Sequence, residues 1–80
     1  MKRKGPRKNF VDRPFILKLG ARIREIRISK GMTIENLAIK CEVDSTQVGR
    51  MELGKVNFSV SYLSKIAAGL EVNPEDLIIR

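Results

Sequence analysis

Apolar residues recur along this chain at the spacing of α-helices, and no stretch alternates in the way of a β-strand. The pattern predicts five helices and an all-α fold. The first runs from Phe15 to about Ser29, and its apolar stripe consists of Phe15, Leu19, Ile23 and Ile26. Gly31 is suited to end this helix, because glycine adopts the left-handed conformation at low cost.

Two short amphipathic helices follow within 33–53 and are joined by a three-residue bend. Thr33 is expected to cap the first, with Asn36 at its third position. The apolar face of this helix is formed by Ile34, Leu37, Ala38 and Cys41. The next helix is expected to open at Asp44 with a capping box to Gln47, and to bury Val48 and Met51. Helix, tight turn and helix is a geometry that places a second helix in the DNA major groove.

Two more helices are predicted after the loop 54–58. Ser59 is expected to cap the fourth, whose buried face consists of Val60, Leu63, Ile66, Ala67 and Leu70. Asn73 as cap and Pro74 at the first helical position indicate a short fifth helix. That helix carries three consecutive apolar residues, Leu77, Ile78 and Ile79. All three cannot face one small core, so we expect exposed apolar surface there.

Charge is concentrated at the N-terminus. The chain has 16 Lys and Arg against 9 Asp and Glu, a net charge of +7 and a pI of about 10.1. Residues 1–14 hold six of the basic residues and one acid, so +5 of the +7 lies there. We interpret 1–14 as a flexible basic arm ahead of a single domain, 15–80. It is either a solubilising tail or an arm that contacts DNA.

The chain lacks the residues that several classes of function require. The chain has no histidine and a single cysteine, Cys41, which is predicted to be a core residue rather than a redox sensor. We therefore expect no metal site, no cofactor, no small-molecule ligand and no enzymatic activity. No apolar run approaches the ~18 residues of a membrane span, and no signal sequence is evident. These features predict a cytoplasmic protein.

Several short patterns in fixed order resemble the Cro/cI-type (XRE-like) helix-turn-helix regulators. The resemblance covers Leu19 to Ile79, about three-quarters of the chain. It rests on Ile23-Arg24-x-x-Arg27-x-x-x-Gly31-Met32-Thr33, Leu37-Ala38, Val48-Gly49-Arg50-Met51-Glu52, Gly54-Lys55, and Leu63-x-x-Ile66-Ala67-x-x-Leu70-x-Val72 with Leu77-Ile78. It implies a five-helix lambda-repressor-like domain with the helix-turn-helix at helices 2 and 3. The layout is also similar to the small controller proteins of restriction–modification systems.

By this resemblance, helix 3 is the recognition helix. With Val48 and Met51 inward, helical spacing leaves the candidate base contacts outward: Ser45, Thr46, Gly49 and Arg50, with Gln47 at the border. Arg50 is the strongest, because a guanidinium can bind guanine O6 and N7 together, worth ~1–3 kcal/mol of discrimination, although a phosphate contact is the alternative. Candidate phosphate contacts are Thr33, Asn36, Lys40 and Lys55. Arg27 and Glu52 resemble the family's internal ion pair.

Three residues depart from the family pattern. Glu42 stands where the turn usually has glycine, and a left-handed non-glycine residue costs roughly 1–2 kcal/mol. Ile34 replaces a polar residue at the start of helix 2, and Leu53 stands where a polar or basic residue is common. These departures leave the fold intact but bear on the set of DNA contacts.

The resemblance also implies a homodimer that pairs through helices 4 and 5. The candidate interface residues are Tyr62, Val72, Leu77, Ile78 and Ile79. A two-fold dimer would place two recognition helices ~34 Å apart and predicts a palindromic operator in double-stranded DNA. The leading hypothesis is therefore a dimeric transcriptional regulator. The alternatives are an antitoxin-type autoregulator that binds a toxin, nonspecific nucleic-acid binding, and a membrane-surface protein.

Overall fold

The computed structural model describes residues 12–78 of the chain, which form four α-helices and one 3₁₀ helix. The helices are α1 (Arg13–Ser29), α2 (Ile34–Cys41), α3 (Ser45–Glu52), α4 (Val60–Leu70) and the 3₁₀ helix Pro74–Leu77. The all-helical prediction is confirmed, but the fifth element is a single 3₁₀ turn that ends before Ile78. Residues 1–11 of the predicted arm 1–14, and Ile79, lie outside the described residues.

Helix α1 begins two residues earlier than predicted. Asp12 caps it, and its carboxylate accepts a hydrogen bond of 3.2 Å from the Phe15 amide. Pro14 lies in the first turn, where the missing N–H would have no helical partner anyway. The apolar stripe is correspondingly shifted, because Ile16 is 4% exposed whereas the predicted core residue Phe15 is 40% exposed. The prediction for Phe15 was wrong.

All four α-helices end in the same hydrogen-bonded turn. One residue with positive φ follows the last full turn in each case: Gly31 (70°), Glu42 (57°), Gly54 (70°) and Glu71 (62°). The amide of that residue donates to a carbonyl three residues back, and the next amide donates to a carbonyl five residues back. This is the Schellman motif, which satisfies carbonyls that the helix leaves unpaired. The predicted turn at Glu42 is confirmed.

One core joins all of these elements. Helix α2 packs against α3 and α4, α1 packs against α3, and the 3₁₀ helix packs against α4. The members of the core are Leu19, Ile23, Ile26, Leu37, Ala38, Cys41, Val48, Met51, Ile66, Ala67, Leu70 and Leu77. Burial raises the pKa of the Cys41 thiol, as expected for a core cysteine. The predicted inward faces of helices 2 and 3 are confirmed.

Two predictions for the second half of the chain were wrong. Val60, expected on the buried face of helix 4, is 83% exposed, because it is the first residue of α4 and lies beyond the core. Leu77, expected in a dimer interface, is fully buried in the chain's own core. Its side chain is therefore unavailable to a second copy.

Helices α1 and α3 approach each other at Gly20, a contact that the hydrophobic pattern did not reveal. A Cβ atom at this position would lie 2.3 Å from the Met51 carbonyl oxygen and 2.7 Å from that of Glu52. Both neighbours are backbone atoms, so they cannot rotate away as a side chain can. Glycine in the middle of a helix usually has such a packing reason, because it weakens the helix relative to alanine.

Gly20→Ala should therefore destabilise the protein by about 1–3 kcal/mol or more, because the added methyl group forces the two helices apart. Gly49→Ala is the matched control, because no atom lies within 4 Å of a Cβ at that position in α3. It should raise stability by about 0.5–1 kcal/mol through helix propensity. Urea unfolding of both variants measures the difference. Equal stability of the two would contradict the close approach at Gly20.

Candidate nucleic-acid interface

Helix α3 presents a polar surface because its apolar side chains hold the opposite face in the core. Val48 and Met51 are both 0% exposed. The other side carries the five predicted base-contact residues, of which Thr46 and Arg50 are exposed and Ser45, Gln47 and Gly49 half-buried. The structure thus brings these five residues together on one short helix. Apart from the cation Arg50, they are uncharged, and most have small or hydrogen-bonding side chains.

Arg50 is the cation of this face. Its side chain is exposed and makes no hydrogen bond or ion pair with any residue between 12 and 78. Guanidinium groups that stabilise a fold normally bind carboxylates or carbonyls, as Arg27 does here. All five N–H donors of Arg50 are therefore available to an external acceptor such as a base edge or a phosphate.

The start of α3 differs from the prediction. Asp44 is the N-cap, but its side chain makes no capping hydrogen bond, so the predicted capping box with Gln47 was wrong. The first turn is closed instead by the Asp44 backbone carbonyl, which accepts from the amides of Gln47 (3.0 Å) and Val48 (3.1 Å). The Gln47 side chain is consequently not committed to the cap.

The start of α2 carries two of the predicted phosphate contacts, and there the predicted cap is confirmed. The Thr33 hydroxyl oxygen accepts from the Asn36 amide at 2.9 Å, and the Asn36 side-chain oxygen accepts from the Thr33 amide at 3.1 Å. Both side chains use acceptors in this capping box. The Thr33 O–H and the Asn36 NH₂ remain donors, which is what a phosphate requires.

The two predicted lysine contacts lie in different surroundings. The Lys40 ammonium binds the Glu71 carboxylate at 3.0 Å, and this hydrogen bond lowers the pKa of Glu71. Lys55 is exposed, and its side chain has no partner among residues 12–78. Its backbone amide donates to the Arg50 carbonyl at 2.9 Å, so Lys55 directly follows the end of α3. Of the two, Lys55 is better placed beside the polar face of α3.

A buried ion pair holds this helix against α1, as predicted. Arg27 binds Glu52 through two hydrogen bonds, Nε to Oε2 at 2.6 Å and Nη2 to Oε1 at 3.1 Å. A third donor, Nη1, binds the Met32 carbonyl at 2.8 Å. The hydrogen bonds that Arg27 donates to the Glu52 carboxylate raise the pKa of Arg27. Both side chains are at least nine-tenths buried, so the pair is structural and does not face a ligand.

Arg13 makes a contact that sequence analysis missed. Its Nη1 donates to the Gly54 carbonyl at 2.8 Å, across 41 positions of sequence. Counted only as part of a basic arm, Arg13 showed no local signal for this partner. The capping sequence Asp12-Arg13-Pro14 is the one hint, since it indicates that the helix already includes Arg13.

This arrangement of α2 and α3 agrees with comparisons to known proteins. The family described as helix-turn-helix matches residues 23–77. The chain belongs to the helix-turn-helix family. It is 38% identical over 63 residues to control protein C.BamHI of Bacillus amyloliquefaciens, an alignment covering 78% of each chain. The resemblance noted from the sequence is thereby confirmed.

Solved structures of helix-turn-helix controller proteins share the fold. The restriction–modification controller protein C.AhdI from Aeromonas hydrophila is 36% identical, with a TM-score of 0.77 over 79% of this chain and 96% of its own. The controller C.Esp1396I, solved as a tetramer with its natural 35-base-pair operator, is 35% identical with a TM-score of 0.75. That alignment covers 79% of this chain and 83% of C.Esp1396I.

Two further observations concern residues 12–78. No helix in this range is long and apolar enough to cross a membrane. The same range holds no group of three or more Cys, Asp or Glu residues arranged to bind a metal ion.

Glu52→Gln should lower the free energy of unfolding by about 3–5 kcal/mol, because it leaves the buried Arg27 cation without a counter-charge. The double variant Arg27→Met with Glu52→Leu should recover most of that loss, since no charge is then buried. Glu25→Gln, which breaks an exposed pair with Arg22, is the control and should change stability little. Urea unfolding measures all three. If Glu52→Gln behaved like Glu25→Gln, the ion pair would not hold α1 to α3.

Proposed function

We propose that this protein is a sequence-specific DNA-binding transcriptional regulator that reads base edges with α3. The observation that carries the proposal is the orientation of that helix. Val48 and Met51 are fully buried, and the opposite face presents Arg50, which has no side-chain partner among residues 12–78, beside small polar residues. A net charge of +7 adds attraction to the DNA backbone. The similarity to controller proteins supports the same conclusion.

Within this proposal the residues have separate roles. Arg50 reads a base, and its fork matches guanine in the major groove. Ser45, Thr46, Gln47 and Gly49 line the same groove. Thr33 and Asn36 donate to one phosphate from the start of α2, and Lys55 binds another beyond the end of α3. Lys40 takes part only when it exchanges its partner Glu71 for DNA.

We further propose that the regulator is a homodimer that binds a palindromic operator. Apolar side chains remain exposed on and beside α4 and the 3₁₀ helix, where Val60 is 83%, Ile78 48% and Tyr62 38% exposed. Val72 is half-buried at the edge of the same region. Since Leu77 belongs to the core, the proposed interface rests on these four residues. Assembly on an operator is seen in the related C.Esp1396I tetramer.

The proposed role is regulation in the cytoplasm, without catalysis and without a cofactor. The relatives include control proteins and a transcriptional regulator. Glu52 is the one buried acid among residues 12–78. It is committed to Arg27 and is therefore not available as a general acid or base.

Selection of bound duplexes from fragmented genomic DNA tests the reading of bases. The wild-type protein should recover one palindromic motif, and Arg50→Ala should lose or relax one base position, equivalent to about 1–3 kcal/mol. Arg24→Ala removes the same charge from an exposed position on α1 and should keep the motif. An unchanged motif with Arg50→Ala would assign this arginine to a phosphate instead. No enrichment by any of the proteins would contradict the proposed function.

Sedimentation of the full chain tests the interface. Ile78→Glu should convert a dimer to a monomer, because it places a charge in the centre of an apolar contact. Ile39→Glu is the control, since Ile39 is 76% exposed on α2 and borders Asp44 and Ser45 at the start of α3, outside the proposed interface. It should leave the dimer intact. A dimer that survives Ile78→Glu would place the interface elsewhere.

A further inference from the structure

The turn that ends α3 links the two cations assigned to DNA. Gly54 adopts φ of 70°, and its amide donates to the Met51 carbonyl at 3.1 Å. The following amide, that of Lys55, donates to the Arg50 carbonyl at 2.9 Å. The backbone of Lys55 is thus held to the backbone of Arg50 by one hydrogen bond. Any change in the conformation of Gly54 would move Lys55 relative to Arg50.

Two residues of α1 hold Gly54 in place. Arg13 Nη1 binds its carbonyl at 2.8 Å. One turn further along α1, Leu17 packs against Gly54, since a Cβ at residue 54 would lie 2.7 Å from Leu17 Cδ2. Gly54 itself is buried. The turn is therefore fixed by a polar contact and an apolar contact from the same helix.

The hydrogen bond explains why a cation is found at the first residue of α1. A positive charge at a helix N-terminus is unfavourable, because the partial charge of that end is also positive. Carbonyls just past a helix C-terminus carry partial negative charge. Because the Arg13 guanidinium binds the Gly54 carbonyl, its charge lies beside the C-terminus of α3, where it is favourable, rather than beside the N-terminus of α1.

We infer that Arg13 is a positioning residue for DNA binding, which holds Lys55 beside Arg50 through the Gly54 carbonyl. The inference rests on the proposed function, because it assigns Lys55 to a phosphate. In it, Arg13 acts on DNA through Lys55 and does not itself bind a phosphate. It also gives residue 13 a role separate from the charge of residues 1–11.

A double-mutant cycle on the full-length protein distinguishes positioning from direct contact. The variants are Arg13→Gln, Lys55→Gln and their combination, with Arg24→Gln as the control for loss of one charge on α1. Affinity for a random-sequence DNA duplex is measured against salt concentration, because each phosphate contact contributes about 0.9 to the slope of log K against log salt. Nonspecific DNA suffices, since phosphates are common to all sequences.

Arg13→Gln and Lys55→Gln should each reduce the magnitude of the salt slope by about one. The double variant should reduce it by no more than either single variant does. Arg24→Gln should change the salt slope by less than either Arg13→Gln or Lys55→Gln does. A double variant that loses about two units would mean that Arg13 binds a phosphate directly, which overturns the inference. A Lys55→Gln slope equal to that of the wild type would overturn it as well.

Hydrogen exchange without DNA provides an independent readout. The Lys55 amide, which binds the Arg50 carbonyl, should exchange several-fold faster in Arg13→Gln than in the wild type or in Arg24→Gln. An unchanged exchange rate at Lys55 would overturn the inference even where DNA binding is weakened. Failure of the wild type to bind any DNA would instead contradict the proposed function, while the exchange result would still report on the contact.

Discussion

The contact on which this fold depends is the buried ion pair between Arg27 and Glu52. It joins the last turn of α1 to the last residue of α3, and its third hydrogen bond holds the Met32 carbonyl in the turn before α2. Two desolvated charges are favourable only where their geometry is good and their remaining donors are satisfied. Here the pair is bidentate, and no buried side-chain polar atom in residues 12–78 lacks a partner. One arginine therefore fixes the relative positions of three segments.

Further contacts between α1 and α3 add to this constraint at the C-terminal end of α3. At Gly20 the absence of a side chain lets the backbones touch, and at Gly54 the chain turns away against Leu17 and Arg13. The ion pair, the glycine contact and the turn all act on the C-terminal half of α3. The other face of that helix is left to solvent, and the orientation of α3 is set by groups on its buried side.

Two surfaces of different chemistry result from this packing. The polar face of α3, with Arg50 exposed, suits the edges of bases and the phosphate backbone. The apolar side chains around α4, with Val60 and Ile78 exposed, suit contact between two copies of the chain. In a two-fold dimer the second surface sets the separation of the two α3 helices, and so the spacing of the half-sites. In the proposed function, recognition and assembly thus depend on separate residues.

The sequence alone determined the number and faces of the central helices, because periodicity and caps are local properties. Leu37, Val48 and Met51 are buried as their spacing predicts, and Thr33 caps α2 with Asn36. The family pattern predicted the ion pair, which the structure contains, and a recognition helix, whose base contacts stay a prediction. Only the tertiary structure decided that Phe15 and Val60 are exposed, that Leu77 lies in the core, and that Arg13 reaches Gly54. Periodicity defines the direction of an apolar face but not how far its neighbours cover it, and a contact across 41 positions has no local signal.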